Sequence, residues 1–304
     1  MKITRTLRKN SSGEDVRWLK DWLFRNGFYL PKIKKITHDR YGTDTVNAVK
    51  AFQRKYSLNV DGIFGPKSRE MLENILNPKK TKEYLVADEY PRISEENRKR
   101  INAALNSGSV TDMRRKVVLE VLKYATDASV AKQYRYPISL YIRGGNLYNK
   151  DLTLNTITEK YLTGTYKKKY ASYCTNGRLD LMVGAVKHFL EKGIKITGAD
   201  CSGGVIGVFR KFGMIKANTD ATANGLLGSG YSKVIKKDEL ILGDLVGKSG
   251  HICIYVGGGL MVEWAGGEYG CQLTQLSDRR CWSFTKRRMV KMSACNKYRR
   301  PKMY

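Results

Sequence analysis

The 304-residue chain is short of acid: 28 Asp and Glu stand against 56 Lys and Arg, a formal net charge of +28. That shortage draws the chain to polyanions, among them nucleic acid, anionic wall polymers and anionic lipid, and charge alone does not choose between them. No stretch approaches the ~20 apolar residues that a membrane span needs. The basic start Met1-Lys2-Ile3-Thr4-Arg5 has no apolar segment behind it, which speaks against a secretory signal peptide and for a chain made in a cytoplasm. No Cys-x-x-Cys pair occurs, so a structural zinc site is not expected, nor is any other metal or cofactor. The six cysteines, Cys174, Cys201, Cys253, Cys271, Cys281 and Cys295, lack a secretory context and read as reduced thiols. Histidine is scarce as well, with only His38, His188 and His251. Any thiol nucleophile therefore has a short list of possible bases.

What is present is globular. Hydrophobic residues make up 41% and charged residues 28%, which excludes a disordered chain. The length suits two modest domains, each with its own core. The reading places a first domain at residues 1–76, a linker or helical segment at 77–109, and a second domain at 110–304. Oligomeric state is not legible.

In the first domain, Ser11-Ser12-Gly13-Glu14 reads as a helix start. Val16, Leu19 and Leu23, with Trp18 and Trp22, supply an apolar helical face that ends at Gly27. A second helix is expected over 43–53 and a third ends near Leu76. Tyr41-Gly42 and Phe64-Gly65 repeat an aromatic-glycine step before a helix start. His38 reads as a loop or packing residue. Together, Gly13-x-x-Val16-x-x-Leu19-x-x-x-Leu23, Ala48-Val49-x-x-Phe52-Gln53 and Val60-Asp61-Gly62-x-x-Gly65 resemble the small helical peptidoglycan-binding domain of wall hydrolases. The resemblance implies a binding role, with Asp61, Gly62 and Gly65 as turn-formers. Lys20 departs from the Gln usual in that family, and the 29–41 loop is long and basic through Lys32, Lys34 and Lys35.

Asn77-Pro78-Lys79-Lys80-Thr81-Lys82 is the best boundary. Ser94-Glu95-Glu96-Asn97 opens a helix that is either a linker or part of the second domain. Thr111-Asp112 opens another, with Val117, Val118, Val121, Leu122 and Ala125 on its apolar face. Residues 146–198 form a Tyr- and Lys-rich insertion with one helix from about Leu179 to Glu191, where His188 reads as surface or packing.

The second domain is organised around Asp200-Cys201-Ser202-Gly203-Gly204-Val205-Ile206. A polar step carrying one cysteine turns at once into an apolar run, as a nucleophile at the first turn of a buried helix would. The helix N-terminus there favours thiolate. Strands are expected around 238–246, at 251–256 and 260–265 joined by Gly257-Gly258-Gly259, at 273–276 and at 286–292. A helix packed on an antiparallel sheet makes the fold class α+β. Period-2 alternation sets His251 and Cys253 on one face and Glu263 on one face of the partner strand. If those faces coincide, the carboxylate orients the imidazole, and Cys201 completes a Cys–His–Glu set. A buried structural cysteine is the competing reading.

Asp200-Cys201-Ser202-Gly203, Gly243-Asp244-Leu245 and His251-Ile252-x-Ile254-Tyr255-Val256-Gly257 resemble the NlpC-type peptidases, papain-like cysteine enzymes that cut peptidoglycan stem peptides. Tyr141-x-x-Gly144-Gly145 is similar to that family's upstream element. The resemblance implies Cys201 as nucleophile, His251 as proton shuttle and Glu263 as its orienter. It also implies Tyr141 and the Cys201 N–H at the oxyanion, and Asp200 and Ser202 at the stem-peptide end. The implied bond is that between γ-linked D-glutamate and the diamino acid. Three departures stand out. Tyr141 and Cys201 are unusually far apart; Cys253 stands where Gly is typical and is a candidate second thiol; Gly204 replaces Leu or Phe, with little expected effect.

A wall-binding domain joined to such a peptidase resembles a phage endolysin, acting on peptidoglycan and anionic wall polymers and not on nucleic acid. The basic tail with Arg287, Arg288, Lys291, Lys297, Arg299 and Arg300 is expected to add wall or outer-membrane affinity. Two alternatives remain: an N-acetylmuramoyl-L-alanine amidase with the same Cys–His pair, and a non-catalytic wall- or nucleic-acid-binding protein.

Overall fold

The structure, a computed structural model, describes residues 3–29, 38–56, 58–76, 90–108 and 110–304. The chain divides into two units, residues 1–83 and 84–304. The expected boundary at 77–82 and the basic Lys32, Lys34 and Lys35 lie outside the described residues.

Among its described residues the first unit holds three helices: α1 (Glu14–Arg25), α2 (Thr43–Lys55) and α3 (Pro66–Leu76). Helical spacing brings Val16, Leu19 and Leu23 to one face, where they meet Val49, Phe52 and Phe64, all fully buried. Each such side chain contributes about 1.5–3 kcal/mol of transfer free energy. The two aromatic-glycine steps become packed turns: Tyr41 and Phe64 are buried, and the Tyr41 hydroxyl donates to the Gly62 carbonyl at 2.9 Å. Asp61 and Gly62 form the turn before α3. Asp61 Oδ1 accepts from the Ile63 N–H, and Gly62, at φ +75°, lies so close to Val46 that a Cβ would come within 2.8 Å of it. Lys20, the departure noted above, is buried and donates to the carbonyls of His38 (2.6 Å) and Arg40 (3.1 Å). The ammonium thus pins the chain leading into α2.

The second unit is α+β. Its main helices are α4 (Glu95–Leu105), α5 (Asp112–Leu122), α8 (Arg178–Leu190) and α9 (Cys201–Lys211). Short turns α6 (Glu159–Tyr161) and α7 (Lys167–Lys169) flank a π-helical step at Leu162–Tyr166, and α10 (Ala223–Leu226) follows α9. The strands are β1 (Thr126–Asp127), β2 (Ser139–Tyr141), β3 (Thr197–Ala199), β4 (Ser232–Val234), β5 (Leu245–Lys248), β6 (His251–Gly257), β7 (Leu260–Trp264), β8 (Cys271–Gln275), β9 (Arg280–Ser283), β10 (Arg288–Lys291) and β11 (Lys297–Pro301). Seven of them form one sheet in the order β1-β8-β7-β6-β5-β11-β4.

The main core lies between that sheet and α4, α5 and α9, with Ile101, Val121, Ile206, Phe209 and Trp264 buried in it. The helix left open in sequence is therefore part of this unit. Arg100 of α4 donates to the Gly258 carbonyl in the β6–β7 hairpin, and Gly257 comes so close to α4 that a Cβ would lie 2.2 Å from that of Ala104. The three glycines of this hairpin all adopt positive φ, which explains their run.

The expected strand over 238–246 is corrected. Lys237–Glu239 is a 3₁₀ turn, Gly243 takes φ +80°, and the strand begins only at Leu245. Buried Asp244, paired with Arg114 (2.9 Å) and Arg300 (2.9 Å), accepts from the Ile241 N–H and holds the bend. The 146–198 insertion is not a loose addition. It carries β3, which pairs in parallel with β2, and builds a second core from Ile157, Leu162, Tyr166, Met182, Phe189 and Ile196. His188 sits on α8 with its ring 5.3 Å from that of Tyr136.

Candidate active site

Cys201 is the first residue of α9 and Asp200 is its N-cap. Asp200 Oδ1 accepts from the Gly203 N–H at 2.7 Å and from the Ser202 hydroxyl at 3.0 Å. Its Oδ2 accepts from the Gly144 N–H at 2.9 Å, and its own N–H donates to the Gly145 carbonyl at 2.9 Å. The carboxylate therefore ties the Gly144-Gly145 step after Tyr141 to the first turn of the cysteine helix. Asp200 and Ser202 also border a cavity of about 300 Å³ with Gly144, Asn146 and Thr222.

Two glycines allow this close approach. A Cβ on Gly203 would come within 1.9 Å of the Gly145 carbonyl oxygen, and one on Gly204 within 2.3 Å of the Trp264 ring. The expectation that Gly204 has little effect is thus corrected. Trp264, fully buried on β7, occupies the space that a Leu or Phe would need.

The Cys201 thiol faces the start of β6. Its sulfur lies 3.9 Å from the Gly250 carbonyl, one residue before His251. Burial pushes the thiol up to about 11 and the Asp200 charge adds to the rise, while backbone N–H groups of Ile252, Ser202 and Cys201 itself pull the other way. The backbone N–H groups of the helix start pull toward thiolate, as the sequence suggests, but burial acts against them. Burial outweighs them, so ionisation calls for a proton acceptor.

His251 opens β6 directly after Gly250. Strand register pairs Ile254 with Val262 and Tyr255 with Met261, which sets Cys253 across from Glu263 and His251 on the same face. His251 Nε2 and Glu263 Oε2 are 2.7 Å apart. Glu263 is fully buried, and Thr274 donates to its Oε1 at 2.6 Å. Arg279 completes its surroundings. Nε donates to both carboxylate oxygens at 2.9 and 3.1 Å, Nη2 donates to Oε2, and Nη2 also lies 2.9 Å from His251 Nε2. Burial would raise the Glu263 carboxyl, but the hydrogen bonds and charges of His251 and Arg279 outweigh it and hold the group at about 2.

Residues 187–291 match the NlpC/P60 family, and residues 12–72 match the putative peptidoglycan binding domain. The chain carries an NlpC/P60 domain behind a peptidoglycan-binding domain. The matched stretch contains Cys201, His251, Glu263 and Arg279, whereas Tyr141 lies before it. Among curated relatives, a stretch of 74 residues is 42% identical to the N-acetylmuramoyl-L-alanine amidase CwlL of Bacillus licheniformis, covering 24% of this chain and 20% of that protein. A stretch of 66 residues is 39% identical to the spore cortex-lytic enzyme of Bacillus cereus, covering 22% and 24%. The chain thus spans only about a fifth to a quarter of the length of these relatives. The crystal structure of Burkholderia AP3 phage endolysin aligns over 56% of this chain and 52% of its own at 21% identity, with a TM-score of 0.21.

Tyr141 ends β2, where it pairs with Ala199 of β3, just before Asp200 and Cys201. Burial raises its hydroxyl well above the usual tyrosine range, and Cys201 adds to the shift. Its ring lies 5.8 Å from that of Tyr173, an insertion residue whose hydroxyl accepts from the Gly267 N–H at 2.7 Å. The insertion thereby joins Tyr141 to the loop after β7.

Cys253 is unbonded, but its thiol is not exposed. It is buried, burial pushes it well above the usual range, and its sulfur lies 3.9 Å from that of Cys295. Donor atoms of His251, Cys253 and Glu263 lie within 4.8 Å of one another, as metal ligands would. Arg279 already saturates the carboxylate and reaches the imidazole, so a second cation there would meet a fixed positive charge. The basic tail is partly structural: Arg300 pairs with Asp244, Arg299 bonds Ser232, and Arg287 donates to the carbonyls of Tyr134 and Lys132.

Sequence reasoning missed Arg279, Thr274 and Tyr173. The one signal for Arg279 was chemical: a buried Glu263 needs a counter-charge stronger than a neutral imidazole.

Proposed function

We propose that this protein is a peptidoglycan hydrolase in which Cys201 attacks a stem-peptide amide, His251 moves the proton and Glu263 orients His251. The observation that carries this reading is the Cys201 helix N-terminus set against the start of β6, where His251 is bonded at Nε2 to buried Glu263. With Nε2 engaged, Nδ1 is the ring nitrogen left to take the thiol proton.

The chemistry follows papain-like acyl transfer. His251 Nδ1 takes the proton from Cys201 Sγ, and the thiolate adds to the amide carbonyl carbon. The Cys201 N–H and the Tyr141 hydroxyl stabilise the oxyanion. The tetrahedral adduct collapses to a thioester as His251 returns the proton to the leaving amine. A water, deprotonated by His251, then hydrolyses the thioester and frees the thiol. Asp200 and Ser202, which border the adjoining cavity, hold the substrate's stem-peptide end. The bond cut is that between γ-linked D-glutamate and the diamino acid. The first unit holds the enzyme on peptidoglycan, and the net charge of +28 adds attraction to anionic wall polymers. The whole acts on the bacterial wall as an endolysin does, and the 146–198 insertion selects among stem peptides through Tyr173.

Mass spectrometry of peptidoglycan digested with the intact protein tests the bond. Fragments that keep L-Ala-D-Glu on the sugar are expected. Release of the sugar from the whole peptide would instead assign an N-acetylmuramoyl-L-alanine amidase, the activity for which the Bacillus licheniformis relative is named.

A further inference from the structure

The buried Arg279 has no part in the three-residue scheme above, yet it touches two of its members. It lies in the turn before β9 and is anchored at both ends: Nη1 donates to the Ser293 carbonyl at 2.8 Å, and its own carbonyl accepts from the Met292 N–H at 2.9 Å. Its guanidinium edge is spent on Glu263, and Nη2 lies 2.9 Å from His251 Nε2.

Three atoms therefore form a triangle: His251 Nε2, Glu263 Oε2 and Arg279 Nη2. An arginine can only donate. If Nε2 carries its proton, that proton goes to Glu263, and Nδ1 has a free lone pair. A carboxylate alone in a buried site favours the imidazolium, because the imidazolium would be its only counter-charge. Here the counter-charge is already supplied by a fixed cation.

We propose that Arg279 is a positioning residue of the His251–Glu263 pair: it fixes the carboxylate by a two-point fork and neutralises it, so that His251 returns to the neutral, proton-accepting form. The proposal rests on the reading of Cys201, His251 and Glu263 given above. Charged and titratable groups around the ring are Glu263 on β7, Arg279 before β9, Cys253 on its own strand, Cys295 before β11, Lys248 opposite on β5 and Cys201 on α9. Among these, Arg279 is the cation bonded to the orienting carboxylate.

The test uses the full chain labelled at the histidine rings. With three histidines in the sequence, His251→Ala identifies the signal of interest. In Arg279→Gln, His251 is expected to keep its proton to higher pH, by about one unit or more, because the imidazolium becomes the carboxylate's sole partner. In Arg279→Lys, which keeps the charge and loses the fork, the titration midpoint stays near that of the unaltered chain while kcat on stem peptide falls roughly tenfold or more with KM unchanged. Should Arg279→Gln not fold, Arg279→Lys alone carries the test through its split between kcat and KM. A midpoint unmoved in a folded Arg279→Gln, or a loss confined to KM in Arg279→Lys, overturns the proposal. The ring titration needs no turnover, so it stands apart from any failure of the hydrolase reading, which would show as an unaltered chain inactive on peptidoglycan.

Discussion

Gly204 lies directly beneath the Trp264 ring, so close that a Cβ would come within 2.3 Å of its carbons. This contact sets the distance between the cysteine helix and the strand that carries Glu263. Interiors are close-packed and do not yield freely. Gly204→Ala is expected to destabilise the second unit by about 1–3 kcal/mol, even though alanine is the better helix former. Urea unfolding with unchanged slope measures it. A variant as stable as the original would show that the helix and sheet adjust independently.

Glu263 makes stability depend on acid. Its carboxyl sits at about 2 in the folded chain against an ordinary 4.5. A depressed carboxyl contributes stability that is fully present above its unfolded value and is lost as pH falls toward the folded one. The window is therefore from roughly pH 4.5 down to 2, and the effect is on the order of 3 kcal/mol. Melting curves across that range should be steeper for the unaltered chain than for Glu263→Gln, which starts lower at neutral pH because Arg279 keeps a buried charge. Equal slopes would mean that the carboxyl is not held ionised.

Tyr141→Phe removes the proposed oxyanion hydroxyl and leaves the ring beside that of Tyr173. Loss of one such donor costs roughly 10²–10³-fold in kcat, with KM little changed. Steady-state kinetics on a defined stem peptide reads this directly. An unchanged kcat removes Tyr141 from the oxyanion.

Excising the whole insertion is a poor test of its role, because residues 197–199 form β3 and the insertion's own core would go with them. Tyr173→Ala is better. It removes the ring beside Tyr141 and the acceptor of the Gly267 N–H. Rates on walls with different diamino acids should change by different factors. A uniform drop across wall types would argue against substrate selection by this segment.

Much of the fold was legible because local signals agreed with tertiary ones. The apolar spacing of Val16, Leu19 and Leu23 marked α1, and the triple glycine marked the β6–β7 turn that lets His251 and Glu263 share a face. What was not legible depended on distant partners. Asp244 bends the chain at 241–244 through Arg114 and Arg300, which lie far off in sequence. The strands β4 and β11 pair with each other across more than 60 residues and are short, with Lys or Arg at half of their positions, so periodicity gives no sign of them. Arg279 hid for the same reason: in Ser277-Asp278-Arg279-Arg280 nothing separates a buried arginine from a solvated one. For Cys201 the helix N-terminus was visible in sequence, whereas the burial that opposes it was not.

The most direct measurement sets the unaltered chain against Cys201→Ala on purified bacterial walls, scoring pelleted protein and loss of turbidity together. Both proteins should pellet with the walls, since the first unit is untouched. Only the unaltered chain should clear them, with the variant slower by at least roughly 10³-fold. Clearing by Cys201→Ala at a comparable rate would contradict the assignment of Cys201 as the nucleophile.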